Sequence, residues 1–137
     1  MINKIIVAGG GASGLMASIA AARNGVQVVL LEKNDRVGKK LLATGNGRCN
    51  YTNEDMNIRH FHGKDRAFIG QALSIFGRDD TLEFFEKLGI VPASEDEGKV
   101  FPLSFQSSSV LDVLRYEAER LGVEIRTGAG IASVNLD

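Results

Sequence analysis

Gly9, Gly11 and Gly14 follow a Gly-x-Gly-x-x-Gly spacing, and Glu32 stands 18 residues after the last of them, at the end of an apolar run. A glycine inside a strand or helix costs roughly 0.5–1 kcal/mol relative to alanine, so four glycines among residues 9–14 need a reason. Phosphate binding supplies one. The first glycine lets a strand turn sharply into a helix, the second lets a pyrophosphate approach the backbone, and the third lets the helix pack closely on the strand. The anion then sits at the positive end of that helix. A carboxylate at Glu32 is placed to accept hydrogen bonds from ribose hydroxyls, and its charge repels a 2′-phosphate, which favours an adenosine with a free ribose.

Chemistry-bearing residues continue after Glu32. Between Glu32 and Asn53 stand five basic residues, Lys33, Arg36, Lys39, Lys40 and Arg48, against Glu32 and Asp35. Within that stretch "TGNGRCN" offers close-approach glycines (Gly45, Gly47), amide and hydroxyl groups (Thr44, Asn46, Asn50) and a guanidinium (Arg48). Such a set suits an extended polyanionic cofactor with a polar ring system. A nicotinamide-binding domain would more typically proceed to another plain βα unit, and a solvated basic loop is the plain alternative. Cys49, the single cysteine, reads as a packed or conformational residue rather than a redox thiol. His60 and His62 lack further ligands at metal-binding spacing and read as surface residues. Asp79, Asp80, Glu83 and Glu86 read as a solvated helix face.

The elements that must position these groups can be read from periodicity. Residues 5–8 read as a short buried strand, 12–24 as a helix closed by Gly25, and 26–31 as a second buried strand, together a βαβ unit. Residues 36–53 show no periodicity and read as loop or loop plus turn. Helices are expected over 66–76 and 80–88, and a short hairpin over "IVPASEDEGKVFPLS", with Pro92 and Pro102 at its limits. Ser109 and Asp112 suggest a capping-box start for a helix over 110–121, ended by Gly122. "VEIRTG" and "GIASVNL" are the last two strand candidates.

Bulk composition narrows the function classes. The chain has 137 residues, 44% hydrophobic and 24% charged, enough for one core and hardly two. Sixteen Lys and Arg balance 17 Asp and Glu, for a net charge of −1, so nothing draws the chain to nucleic acid or anionic lipid. One cysteine excludes an internal disulfide framework and fits a reducing cytoplasm. Residues 5–22 carry no charge and resemble a secretory signal, but the glycines break the apolar helix a signal or membrane span requires.

The motifs "GGGASG", "LLEKNDRVGKKLLATGNGRCNYTN" and "GKVFPLSFQSSSVLDVL" together resemble the aminoacetone oxidase / BaiN-like family of bacterial FAD-dependent oxidoreductases, within the glutathione-reductase-like two-dinucleotide-binding flavoproteins. The resemblance covers the whole chain. It implies an α/β, Rossmann-like FAD-binding domain with a parallel sheet and a small hairpin excursion. It also implies that residues 1–137 are the N-terminal part of a longer enzyme, with a substrate domain and a C-terminal FAD-completing segment elsewhere.

By the same resemblance Gly9, Gly11, Ala12, Ser13 and Gly14 meet the FAD pyrophosphate, and Glu32 with Lys33 the adenosine ribose. Lys40, Thr44, Gly45, Gly47, Arg48, Cys49 and Asn50 fall along the diphosphate, ribityl and flavin side, and the backbone of Ile131, in a strand after "GVEI", brackets the adenine. Arg48 or Lys40 would stabilise an anionic reduced ring. The implied partners are a small-molecule substrate and NAD(P)H as a possible reductant, with no nucleic acid and no membrane. A piece of this kind is expected to self-associate and to hold FAD weakly. An NAD-dependent dehydrogenase and an inactive nucleotide-binding module are the competing readings.

Overall fold

The computed structural model describes residues 4–135, which cluster into two compact units. The first contains the described residues up to Ala43 and those from Leu111 onward; the second runs from Thr44 to Val110.

The first unit opens with strand β1 (Lys4–Ala8), helix α1 (Ala12–Arg23) and strand β2 (Gln27–Leu31), the expected βαβ unit. β1 and β2 pair in parallel from Lys4 opposite Gln27 to Ala8 opposite Leu31. A third parallel strand, β6 (Glu124–Arg126), pairs with the other edge of β2, giving the order β1-β2-β6. The central strand explains its own sequence. Val28, Val29 and Leu30 are all buried, because a strand with neighbours on both sides and covered faces cannot alternate apolar with polar. α1 buries Gly14, Leu15, Ser18 and Ile19. Gly25 comes just after it at φ +76, the left-handed conformation that ends a helix at little cost with glycine.

Between β2 and the second unit lies a single helical turn, α2 (Lys39–Leu42), whose Leu41 is buried with Val37. The second unit holds an antiparallel sheet of β3 (Thr52–Asn53), β5 (Lys99–Pro102) and β4 (Pro92–Ser94), in that spatial order. β4 and β5 are the expected hairpin, with Pro92 opposite Pro102 at its open end. Helices α3 (Arg66–Ile75) and α4 (Arg78–Lys87) precede it, and α4 buries Phe84 and Phe85. Phe85 lies 4.9 Å from Tyr51, ring centre to ring centre.

Helix α5 (Ser107–Arg120) starts three residues before the expected Val110. Three serines in a row, Ser107–Ser109, offer three equivalent starts. Ser109 lies inside the helix with its hydroxyl 2.8 Å from the Ser104 hydroxyl, so it is not the cap, and Asp112 pairs with Arg115 instead. "GIASVNL" does not form the expected strand: residues 130–135 are irregular, and Leu136 lies outside the described residues. The chain turns back after β6 through main-chain bonds from Gly128 to Asn34 and from Ala129 to Glu32, each 2.8 Å, so residues 130–135 join no ladder.

In the first unit α1 and α5 meet at a buried charge. Glu117 is 5% exposed and accepts from Arg23 Nη2 at 2.6 Å and Arg120 Nε at 2.7 Å. Hydrogen bonds from Arg120, and then from Arg23, hold its carboxyl down at about 2 against the opposing effect of burial. A carboxyl depressed in the folded state adds stability that is complete above its unfolded value of 4.5 and is lost as pH falls towards 2. Both arginines are partly exposed, which limits the gain. Glu117→Gln is therefore expected to cost on the order of 1–2 kcal/mol at neutral pH, and progressively less on acidification. Urea melts across that pH range measure it; a cost independent of pH would contradict the ion-pair account.

Candidate functional site

At the carboxyl end of β1 the chain turns on Gly9, whose φ of +94 is poorly tolerated by residues with a side chain. Its N–H donates to Leu31 O at 2.7 Å and so continues the β1–β2 ladder. Gly14 lies one helical turn further, and a Cβ there would stand 1.8 Å from the Gly9 carbonyl oxygen. The two glycines thus let helix and turn share a space that fits no methyl group. Gly11 differs, because a Cβ built on it meets nothing within 4 Å. No contact within the protein demands that glycine, so its reason lies in what approaches from outside.

Gly11 is also the N-cap of α1, with no side-chain cap and no acidic residue in the first turn. The main-chain N–H groups of Ala12 and Ser13, both exposed, and of Gly14 belong to the helix's opening turn, where no carbonyl four residues back can receive them. This is an anion cradle formed from backbone.

Glu32 stands beside it, 8% exposed. Its Oε2 accepts the Gly10 N–H at 2.7 Å, and its Oε1 accepts the Asn34 N–H at 2.8 Å and Asn34 Nδ2 at 2.6 Å. The main-chain bonds from Asn34 and Gly10 hold the carboxyl below its usual range, although burial pushes the other way. A groove of about 230 Å³ runs past these groups, lined by Ala8, Gly9, Leu31, Glu32, Lys33, Ala129, Gly130 and Ile131. Ile131 is therefore on the groove as expected, but in an irregular segment rather than a strand.

The first unit thus brings together Gly9, Gly11, Ala12, Ser13, Gly14, Glu32, Lys33 and Ile131. Lys40 is an exposed residue of α2. The remaining expected residues form a tight turn in the second unit. Gly45, Asn46, Gly47 and Cys49 all adopt positive φ, and Cys49 N–H donates to Thr44 O at 3.0 Å. A Cβ on Gly45 would come within 2.7 Å of the Asn50 nitrogen. Cys49 is 5% exposed and burial pushes its thiol pKa up, the opposite of what a reactive thiolate needs. Arg48 is already engaged: Nη1 lies 2.9 Å from both carboxylate oxygens of Glu95, and its guanidinium stacks 4.3 Å from the centre of the Phe101 ring.

Three site residues escape the glycine pattern. Gly10 can carry no Cβ, since one would meet Val37 Cγ1 at 2.5 Å, and its carbonyl accepts the Gly38 N–H at 2.7 Å. Gly38 in turn is packed against Leu111, with a Cβ position 2.2 Å from Leu111 Cδ1. Asn34 holds Glu32. The only sequence signals were the middle glycine of the run Gly9–Gly11 and a short amide two residues after the carboxylate.

A parallel βαβ sheet with a glycine turn, an uncapped helix N-terminus and a carboxylate at the end of the second strand defines a Rossmann-type dinucleotide-binding domain. Residues 3–137 match the HI0933-like protein Rossmann domain, and the chain belongs to that family. It is 47% identical over 137 residues to a 3-dehydro-bile acid delta(4,6)-reductase of Clostridium scindens, covering 98% of this chain and 33% of that protein. It is 30% identical over 132 residues to a ribosomal RNA dihydrouridine synthase of Escherichia coli, covering 96% of this chain and 33% of that one. The chain thus spans about a third of the length of these relatives. Among solved structures, a 3-ketosteroid-delta4-(5alpha)-dehydrogenase from Rhodococcus jostii superposes with a TM-score of 0.67 at 18% identity, over 92% of this chain and 37% of that one, a likeness of fold.

The dinucleotide that the sequence motifs imply by resemblance is FAD. The residues fit it: open space over Gly11, free helix N–H groups for a pyrophosphate, and a buried carboxylate on a groove for a ribose. Among the described residues no helix is long and apolar enough to cross a membrane.

Proposed function

We propose that the full-length protein is an FAD-dependent oxidoreductase and that this chain holds the adenosine, ribose and pyrophosphate of its cofactor. One observation carries the reading: Gly11, the only motif glycine with neither a positive φ nor a neighbour crowding its Cβ, faces open space at the uncapped N-terminus of α1. Bound FAD supplies hydride-transfer chemistry. The chain's own residues bind and orient it. Ala12, Ser13 and Gly14 N–H groups receive the pyrophosphate, Glu32 takes a ribose hydroxyl with Lys33 beside it, and Ile131 backs the adenine. For Lys40, Thr44, Gly45, Gly47, Arg48, Cys49 and Asn50 a role on the flavin side rests on the family resemblance of their motif alone.

The substrate is a small molecule bearing a carbon–carbon double bond to be reduced, with NAD(P)H as the reductant. The name of the 47% relative, a bile acid delta(4,6)-reductase, supports this class. The relatives named ribosomal RNA dihydrouridine synthases, at 25% and 30% identity, support an RNA substrate instead. The net charge of −1 and the higher identity favour the small molecule. A bacterial cytoplasm is the matching compartment, and the single cysteine supports it. Ile6, 63% exposed on the edge strand β1, supports self-association of this piece alone.

Purified full-length protein should carry flavin absorbance. Glu32→Ala should weaken FAD by roughly 1–3 kcal/mol, the usual cost of losing charge-assisted hydrogen bonds. Colourless wild-type protein that binds no added FAD would overturn the cofactor reading, and an unchanged Kd in the variant would leave Glu32 a strand-end charge only. Bleaching by NAD(P)H and recovery with an added enone, but not with ribosomal RNA, tests the substrate class.

A further inference from the structure

Glu32 is a buried carboxylate with no ion-pair partner among the described residues. Its neighbours' charges are spent elsewhere: Asp35 pairs with Lys39, and Arg126 with Glu124, leaving Lys33 as the charged group acting on it. Three hydrogen bonds hold it, and two of them come from Asn34. An ionised carboxylate offers about four acceptor positions. Oε1 is filled twice by Asn34 and Oε2 once by Gly10, so the open position is on Oε2, the oxygen that also holds the glycine turn. Asn34 is itself anchored, since its carbonyl accepts the Gly128 N–H at 2.8 Å.

We propose that Asn34 is a positioning residue for the cofactor: its amide occupies Oε1 of Glu32, so that one ribose hydroxyl is received at Oε2 and the same carboxylate locks the Gly10 peptide of the pyrophosphate turn. Ribose recognition and the shape of the phosphate-binding turn then form one hydrogen-bonded unit. This rests on the FAD reading above.

The role of the amide is to donate from Nδ2, and a near-isosteric carboxyl can be switched between donating and not donating. In Asn34→Asp at alkaline pH, a second carboxylate faces Oε1 and repels it. As pH falls, the two carboxyls come to share one proton, because like charges this close raise the apparent pKa of the pair. The shared proton restores the missing hydrogen bond.

The experiment is an FAD titration of the full-length apoprotein, with wild type, Asn34→Asp and Asn34→Ala compared between about pH 8 and about pH 4, a range that reaches the upper apparent pKa of a close carboxylate dyad. Asn34→Asp should bind FAD about tenfold or more weakly at the alkaline end and recover most of that deficit at the acid end. Asn34→Ala should be weakened throughout and recover nothing. A purely structural effect of the substitution would not reverse with protons. Equal affinity of Asn34→Asp and wild type at pH 8, or a deficit that does not narrow as pH falls, would overturn the proposal while leaving FAD binding intact. If Asn34→Asp fails to fold, wild-type affinity in Asn34→Ala would overturn it equally. Wild-type apoprotein that takes up no FAD would instead overturn the cofactor reading, and this one with it.

Discussion

Gly14→Ala is expected to destabilise the protein by about 3 kcal/mol or more, at or beyond the upper end of ordinary overpacking. The added methyl carbon would stand 1.8 Å from the Gly9 carbonyl oxygen and 3.0 Å from its carbon. Both are backbone atoms, so no rotamer change relieves the clash. Either α1 moves off the sheet or the glycine turn opens. Moving the helix uncovers Leu15 and Ile19, which are 0% and 1% exposed, and opening the turn breaks the 2.7 Å bond from Gly9 N–H to Leu31 O. Each kcal/mol lost lowers the melting temperature of a small domain by several degrees, so thermal melts of the apoprotein should fall by roughly 10 °C or more. Ser13→Ala, one residue earlier and exposed, serves as the control. A Gly14→Ala protein that melts like Ser13→Ala would mean that α1 does not press on the glycine turn.

The βαβ unit was legible because its signals are local. Glycine spacing, an alanine-rich helix and an all-apolar strand each depend on residues a few positions apart, and β2 buries Val28, Val29 and Leu30 as its composition implies. The hairpin was legible for the same reason: "DEG" places Glu97 at φ 60 and Gly98 at φ 69 between two short strands. The features that escaped depended on distant partners. Gly10 looks like filler inside a glycine run until Val37 and Gly38 fold back upon it. Arg48 reads as a cofactor cation in a basic loop, and nothing near it in sequence reveals the bidentate pair with Glu95. "GIASVNL" has the alternation of a strand, but alternation does not supply a neighbour; residues 130–135 join no ladder, and Gly130 and Ile131 line the groove instead.

The ribose side of the site was half legible for a related reason. Glu32 could be located by its distance from Gly14, whereas its hydrogen bonds could not. A carboxylate at a strand end reads as free to meet a ligand, yet three of its acceptor positions are taken by Gly10 and Asn34. Sequence spacing finds the group; only packing shows how much of it remains available.

Gly11→Val should separate binding from folding. The backbone at Gly11 is extended, at φ −79 and ψ −174, a conformation open to a β-branched residue, and a Cβ there meets nothing within 4 Å. The expected cost to the apoprotein is the poorer N-cap, about 1 kcal/mol, so its melting temperature should fall by only a few degrees. The isopropyl group nevertheless stands at the opening of α1, where a pyrophosphate must approach the main-chain N–H groups of Ala12, Ser13 and Gly14. Holding the anion away from those donors should weaken FAD by about 100-fold or more, equivalent to roughly 2.7 kcal/mol. Gly14→Ala, by contrast, should lose stability first and FAD as a consequence. Flavin titration and thermal melts of the two full-length variants measure the contrast directly. If Gly11→Val retains FAD at wild-type affinity, the pyrophosphate does not sit at the N-terminus of α1, and the open space over Gly11 has another cause.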